Sequence, residues 1–463
     1  MTITREDFIH RRKVLMDNIA DGLIVFSANQ VLPRNYGANS FPFRQDSTFL
    51  YFSGIDISGV FLLFDCSSGT VFLAGQEPGI EDTIWSGKQK KLKEWAEESG
   101  INEVLTTGQL NEKLYRDKAA GRTIHFIPPY SADKNVIFSR LLGISTDEIK
   151  SKASIELIKA IIAQRSVKSE AEVSEIESAI NQVTGPMHIE AMKMAVEGKY
   201  EYEIVAGMYR VAKAKDLEFA YPVICSVRGE VLHNEQHRNR LKKGQLLLTD
   251  AGVESRNHYA SDITRITPVG GKFSSQQKEI YQVVLTAQQE AIKKLKPGIR
   301  YFDIHTEAAQ DIVEGLKAIG LMRGDAEEAV NAGAHALFFP HGLGHMLGLD
   351  VHDMEDLGED YVGYDESTVR SKQFGTAYLR LAKQLKSGYV LTVEPGIYFI
   401  PALINQWQEN KTLDRFINYE RLSEYLEFGG VRIEDNVVIT ESGCRILGNA
   451  IIKSVDGIEA LFT

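Results

Sequence analysis

The sequence predicts a two-domain α/β protein, with a small α/β domain over residues 1–165 and a larger, strand-rich α+β domain over residues 166–463. Three observations carry this. A chain of 463 residues is too long for one ordinary core. Its first third alternates short apolar runs with segments of helical spacing. After a long helical tract, the remainder returns to apolar, β-branched runs, and several of these hold a carboxylate.

In the first domain, "DGLIVFSAN" and "GVFLLFDCSSGTVFLAG" read as strands, the second turning at Ser-Ser-Gly. "EDTIWSGKQKKLKEWAEESG" has helical spacing and ends on Gly100, a suitable C-cap. "RTIHFIPPY" reads as a short strand stopped by prolines. The tract from "SIELIKAII" to "MKMAVEG" is helical, with Ser169 as an N-cap three residues before Glu172. The domain boundary is placed in this tract.

In the second domain, "GQLLLTDAGVESRNHYASDITRITPVGG" predicts two strands around a polar turn. "FSSQQKEIYQVVLTAQQEAIKKLKPG" and "YFDIHTEAAQDIVEGLKAIGL" predict two helices broken at Lys-Pro-Gly. "GYVLTVEPGIYFIP" and "GGVRIEDNVVITESG" predict two more strands, separated by a polar, helical excursion.

Composition narrows the classes. With 43% hydrophobic and 25% charged residues, the chain is an ordinary globular one. A formal net charge of -11 argues against nucleic acid or an anionic membrane as main partner. Cys66, Cys225 and Cys444 are far apart and form no C-x-x-C pair, so a reduced, cytoplasmic protein is expected. The amino terminus has no apolar signal region, and no apolar run approaches the ~18 residues of a spanning helix.

The chemistry is carried by acids in strands that should be apolar. Asp250 ends "LLLTD", Asp262 sits in "ASDITRI", Glu394 in "VLTVEPG" and Glu434 in "GVRIEDNVV". A buried carboxylate is costly unless something positive meets it. One such residue is most often a solvent-facing position; four are harder to dismiss. Asp250 and Asp262 lie twelve residues apart across a polar turn, a spacing that brings both to one end of an antiparallel pair. Two carboxylates so placed repel unless protonated or bridged by cations. "HGLGHMLGLDVHD" adds His341, His345 and His352. Its glycines make a poor helix interior, and it lacks the Glu of H-E-x-x-H. A loop or strand edge that brings one imidazole to the acids fits better. Such an oxygen-rich set favours Mn²⁺, with Co²⁺ or Fe²⁺ as alternatives, and suits two metals about 3.5–4 Å apart.

"TDAG", "SDITR", "HGLGH", "TVEPG" and "RIEDN", in this order, resemble the five metal-ligand motifs of the pita-bread metallopeptidases. Within them the chain is similar to aminopeptidase P and prolidase, the Xaa-Pro peptidases. "FPFRQDSTFLYFSGI" resembles the amino-terminal domain shared by aminopeptidase P and some prolidases. The resemblance implies a pita-bread catalytic domain with two divalent ions, held by Asp250, Asp262, His345, Glu394 and Glu434. It places His341 and His352 on the substrate side, has His233 steady the tetrahedral intermediate, and sets Arg432 behind the ligands. Glu394 would also pass a proton to the leaving proline nitrogen. Proline-containing dipeptides or peptides would be the substrates, and a homodimer or homotetramer the assembly.

The subtype leans to the dipeptidase. Arg380 stands fourteen residues before Glu394, where prolidases place the arginine that grips a dipeptide's carboxylate. "PFRQDSTFLYFSG" reads closer to aminopeptidase P, which acts on longer peptides and is the alternative. Tyr398 is expected to line the pocket or to pack. His125, His188 and His305 are expected to be ordinary structural residues, and His237 and His258 to lie outside the site. The intact ligand set argues against a metal-free creatinase-like hydrolase and against a histone-binding module on the same scaffold.

Overall fold

The computed structural model describes residues 2–462, and its contacts divide the chain into two compact units. The smaller comprises Thr2–Arg165 and the short stretch Met354–Tyr361; the larger comprises Ser166–Asp353 and the chain from Val362 onward.

The smaller unit contains β1 (Leu23–Ser27), a hairpin of β2 (Pro33–Tyr36) and β3 (Asn39–Ser40), β4 (Phe61–Asp65), β5 (Thr70–Gly75), β6 (Glu103–Thr106) and β7 (Ile124–His125). Its main sheet has the order β6-β5-β4-β1-β7, with antiparallel pairs in the middle and a parallel pair at each end. Every residue of β1 and β4 is buried, which is why "LIVF" and "FLLF" are continuous apolar runs rather than alternating ones. The segment expected as one helix over 81–100 is two, Ile80–Ser86 and Leu92–Ser99. Gly87, at φ +77°, ends the first, and the second ends on Gly100 in the left-handed conformation, as expected. The "QDSTFLYFSG" motif is a wholly buried helix, Ser47–Ser53, capped by the Asp46 side chain on the Phe49 amide. Arg12 is also buried. Its guanidinium donates to the carbonyls of Phe52, Ser99 and Gly100, satisfying helix-end acceptors that would otherwise be orphaned.

In the larger unit, Ser169 caps the helix Glu170–Ala179 and Glu172 returns the bond, the expected capping box. The helices Ser275–Lys294 and Tyr301–Ala318 pack side by side, broken at Lys296-Pro297-Gly298. The strands are β8 (Ile224–Ser226), β9 (Leu246–Asp250), β10 (Thr264–Pro268), β11 (Val390–Val393), β12 (Gly396–Tyr398), β13 (Gly430–Arg432), β14 (Asp435–Ile439) and β15 (Cys444–Ile446). They form three antiparallel ladders, β10-β9-β8, β11-β14-β15 and β12-β13. Helices on one side of the first ladder supply Met187, Ala191, Ile204 and Met208 to a core shared with Cys225 and Leu247.

Two strand expectations are corrected. "GYVLTVEPGIYF" is not one strand but β11 and β12, and "GGVRIEDNVVI" is β13 and β14. Both break at the same level: Val393 pairs with Asp435 and Gly396 with Arg432, leaving Glu394-Pro395 opposite Ile433-Glu434. Pro395 has no N–H to give to the ladder, so pairing lapses there. Glu394 and Glu434 stand in this shared break.

Candidate metal centre

Three pieces of backbone bring the acids together. The first is the β9/β10 hairpin. Asp250 ends β9 opposite Thr264, and Asp262 lies two residues before β10, so both reach the same end of the ladder. The intervening chain folds tightly: a Cβ on Gly252 would lie 1.7 Å from the Ser261 carbonyl oxygen, so only glycine fits. The second is the paired break carrying Glu394 and Glu434. The third is "HGLGH", which runs beside β11 as an irregular edge. There the Thr392 amide donates to the His345 carbonyl, the His345 amide to Thr392 Oγ1, and the Glu394 amide to the Leu343 carbonyl. A Cβ on Gly344 would sit 2.1 Å from the Thr392 carbonyl oxygen, which explains the glycine beside His345. His345 therefore comes from a strand edge and not from a helix.

Asp262, His345 and Glu434 offer ligand atoms within 4.8 Å of one another, all buried. His345 Nε2 lies 3.4 Å from Asp262 Oδ2 and 3.5 Å from Glu394 Oε1. Its Nδ1 is 3.0 Å from the Met346 carbonyl, which can only accept, so Nδ1 carries the hydrogen and Nε2 faces the acids. The Tyr221 hydroxyl reaches both Asp250 Oδ1, at 2.6 Å, and Asp262 Oδ1. Arg432 Nη2 pairs with Asp250 Oδ2, Nε donates to Thr264 Oγ1 at 3.1 Å, and Nη1 to the Tyr398 hydroxyl at 2.8 Å. Thr264 Oγ1 in turn donates to Glu434 Oε2 at 2.7 Å.

Electrostatics point to a missing positive charge. Burial pushes Glu434 well above the carboxylate range, and Asp262, Glu394 and Asp250 push it further. Burial lifts Glu394 to about 7 against the pull of His345 and Arg432, and raises Asp250 although Arg432 opposes it. Burial also works against an ionised Asp262, but His345 and Tyr221 hold it below the usual range. Burial disfavours a charged His345, yet Asp262 and Glu394 raise it to about 9. Glu434 Oε1 is buried and has no hydrogen-bond partner among the described residues. An orphaned carboxylate oxygen facing three further acids and an imidazole nitrogen is the donor set of a hard divalent cation. The residues present therefore fit a metal.

All five expected ligands line one cavity of about 480 Å³, together with His233, His341, His352, Arg380 and Arg432. The His352 ring packs on His345, with centroids 4.2 Å apart. His341 is held neutral: burial, with Arg432 nearby, drops it to about 3. Its Nδ1 faces the Gly342 carbonyl at 2.8 Å and its Nε2 the Tyr398 hydroxyl at 2.9 Å, so both ring nitrogens are engaged. Arg380 is half-buried and lies in an irregular stretch, not in a helix. Tyr398, expected to line the pocket or to pack, is fully buried behind the lining, with its hydroxyl on His341 and Arg432.

Of the histidines outside the set, His188 bonds the Ala251 carbonyl and His237 the Val223 carbonyl, while His258 pairs with Glu254; none lines the cavity. Sequence reasoning missed Tyr221 and a buried network behind Glu434. There Arg265 donates to the Glu434 carbonyl at 2.6 Å and to Asp435, which also meets Lys453 and Gln288. The signal was present: Arg265 and Asp435 are charges inside the same apolar strands.

Known proteins resemble this chain in sequence and fold. The profile of metallopeptidase family M24 matches residues 175–441, and that of the aminopeptidase P N-terminal domain matches residues 8–125. The probable Xaa-Pro aminopeptidase of Neosartorya fischeri is 34% identical over 434 residues, 91% of this chain and 88% of that protein. The corresponding protein of Phaeosphaeria nodorum is 33% identical over 463 residues, covering 98% and 95%. Among solved structures, E. coli aminopeptidase P with the inhibitor Pro-Leu superposes with a TM-score of 0.81 at 27% identity, covering 100% of this chain and 99% of that one. With all five acid and histidine motifs inside the M24 match, a second matched domain before it and relatives spanning nearly its whole length, this chain belongs to metallopeptidase family M24, with an aminopeptidase P-type N-terminal domain and a pita-bread catalytic domain.

Proposed function

We propose that this chain is an Xaa-Pro aminopeptidase of the aminopeptidase P type, which removes the first residue from peptides whose second residue is proline. The orphaned Glu434 oxygen inside the four-acid, one-imidazole cluster supports hydrolytic metal chemistry. Relatives named Xaa-Pro aminopeptidase, matched over 91% or more of this chain, favour the aminopeptidase over the dipeptidase suggested by the Arg380 spacing. Residues 1–165 would be the N-terminal domain and 166–463 the catalytic one, in a cytoplasmic homo-oligomer. No helix among the described residues is long and apolar enough to cross a membrane.

Asp250, Asp262, His345, Glu394 and Glu434 would hold two divalent ions, manganese by the hardness of the donor set. When bound, these supply Lewis-acid polarisation of the carbonyl and activation of water. The protein's own groups do the rest. An Xaa-Pro bond is a tertiary amide, so its nitrogen has no hydrogen to bind and must receive one to leave. Glu394, at the cavity wall, is placed to carry that proton. His341 cannot lend an N–H to the oxyanion while Gly342 and Tyr398 hold both its nitrogens, so it serves as a rigid neutral wall. His233 lies exposed in the cavity lining and is the histidine placed to donate to the developing oxyanion. Arg432 fixes Asp250 and, through Tyr398, the His341 ring.

The test compares Ala-Pro with Ala-Pro-Ala and longer Ala-Pro peptides, with manganese added. Release of alanine from the longer peptides, and none from Ala-Ala-Ala, is expected. Cleavage confined to Ala-Pro would make the chain a dipeptidase with Arg380 as its carboxylate clamp. No cleavage of any Xaa-Pro peptide would return it to the non-peptidase relatives. Glu434→Ala or Asp262→Ala is expected to lose bound metal and turnover together.

A further inference from the structure

We infer that Phe374 and Tyr378, backed by Trp407, form a subsite at the cavity mouth for the residue after the scissile proline, and that it favours a large apolar or aromatic side chain there. The inference rests on the aminopeptidase reading above. Phe374 and Tyr378 line the same cavity as Asp262, His345 and Glu434, yet they are 42% and 57% exposed. Their rings meet edge to face at 6.1 Å, and Phe374 meets Trp407 at 6.4 Å. Single exposed apolar residues need no explanation, but a contiguous aromatic group beside a reaction cavity marks a contact surface.

This rim draws on two distant segments and is held in place. Trp407 stands on the helix Pro401–Glu409. The loop carrying the other two is pinned from three sides. Arg370 Nη1 donates to the Ala377 carbonyl at 3.0 Å, Tyr364 Oη to the Leu379 carbonyl at 2.6 Å, and Gln373 Nε2 to the Asn331 carbonyl at 2.9 Å. A surface already ordered binds without a large ordering cost.

The occupant follows from the reaction. An enzyme that removes one residue needs room for only that residue on the amino side of the scissile bond. The chain after proline must leave through the mouth, and Phe374 and Tyr378 are among the exposed residues of the lining, with Pro222, His233 and Glu235. At about 3.3–3.6 Å per residue, the first side chain beyond proline falls within reach of a rim that continues the cavity wall. Aromatic faces there would stack on an aromatic or large apolar side chain and gain nothing from glycine.

The test compares kcat/KM for Ala-Pro-Phe and Ala-Pro-Gly in the manganese-loaded enzyme and in Phe374→Ala and Tyr378→Ala. The wild type is expected to favour the phenylalanine peptide about tenfold, and the ratio to fall to about 2 or less in the variants. A purely structural role would slow both substrates together and leave the ratio in place, which would overturn the inference, as would a wild-type ratio near 1. Should a variant fail to fold, product competition in the wild type decides: Pro-Phe must inhibit more strongly than Pro-Gly by a similar factor, and equal inhibition overturns the inference. Cleavage of both peptides at equal rates refutes the rim alone; cleavage of neither refutes the aminopeptidase reading as well.

Discussion

The Tyr221 hydroxyl stands between Asp250 and Asp262, 2.6 Å from Asp250 Oδ1 and in contact with Asp262 Oδ1. One phenolic hydrogen is shared by two carboxylates that would otherwise face each other bare. Removing it should therefore harm the metal-free protein most. Tyr221→Phe is expected to cost ~1.5–3 kcal/mol without metal, the range for a hydrogen bond to a charged group, and less once a cation takes over the neutralisation. Thermal unfolding with chelator and with manganese checks this; equal losses in both conditions would show that the hydroxyl is needed in the loaded site too.

Arg432 holds Asp250, Thr264 and Tyr398 with three different nitrogens. Lysine keeps the charge but cannot reproduce the fork. Arg432→Lys is expected to lower metal affinity or turnover ~10–100-fold, as is typical of groups that orient ligands. Calorimetric manganese titration beside steady-state kinetics reads it. Wild-type values in both would remove Arg432 from the site's support.

The larger unit should be acid-labile for a reason separate from its metal. Burial drops His188 and His335 to about 4 and His305 to about 3. The last two have both ring nitrogens without hydrogen-bond partners among the described residues. In the unfolded chain each titrates near 6.5. Between pH ~6.5 and ~4 the unfolded state thus binds more protons, so stability is complete above about 6.5 and falls as pH drops through that window. His305→Phe is expected to reduce the slope of stability against pH by up to ~1.4 kcal/mol per pH unit, one proton's worth. Chemical denaturation at pH 7.5, 6 and 5 measures it, and an unchanged slope would mean His305 is solvated.

Lys168 and Asp353 form an ion pair of 2.8 Å with both side chains 1% exposed. It ties the start of the first helical tract of the larger unit to the end of the histidine-rich stretch. Asp353→Ala would strand a buried ammonium, and a loss of ~3–5 kcal/mol is expected. Pairing Lys168→Met with Asp353→Leu should recover most of it, since two apolar groups need no partner. A double variant as unstable as Asp353→Ala would show that the pair's hydrogen bonds, not its charge balance, matter.

The site was more legible in the sequence than the strands that carry it. Asp250, Asp262, Glu394 and Glu434 stand out because an acid in an apolar run is a violation visible without coordinates. The glycines around His345 likewise excluded a helix. What periodicity could not provide was the level at which strands stop. β11/β12 and β13/β14 each read as one strand because the apolar pattern continues across Glu394-Pro395 and Ile433-Glu434. Pro395 was the only local sign of a break. Tyr221 stayed hidden since an aromatic after "EFA" resembles any core residue; only the fold places its hydroxyl on two acids. For Tyr398 the sequence left pocket lining and packing both open, and only the fold buries it behind the cavity with its hydroxyl on His341 and Arg432.

The shared break in the two strand pairs couples registry to metal capture. Glu394 and Glu434 are opposite each other only when Val393 meets Asp435 and Gly396 meets Arg432. A slip of one residue in either strand would turn its carboxylate to the other face of the sheet. A slip in one strand alone would therefore part the two glutamates while leaving Asp250 and Asp262 together on the β9/β10 hairpin. Strand register in this part of the fold therefore decides how many acids meet, and only one alignment brings both glutamates to the cavity.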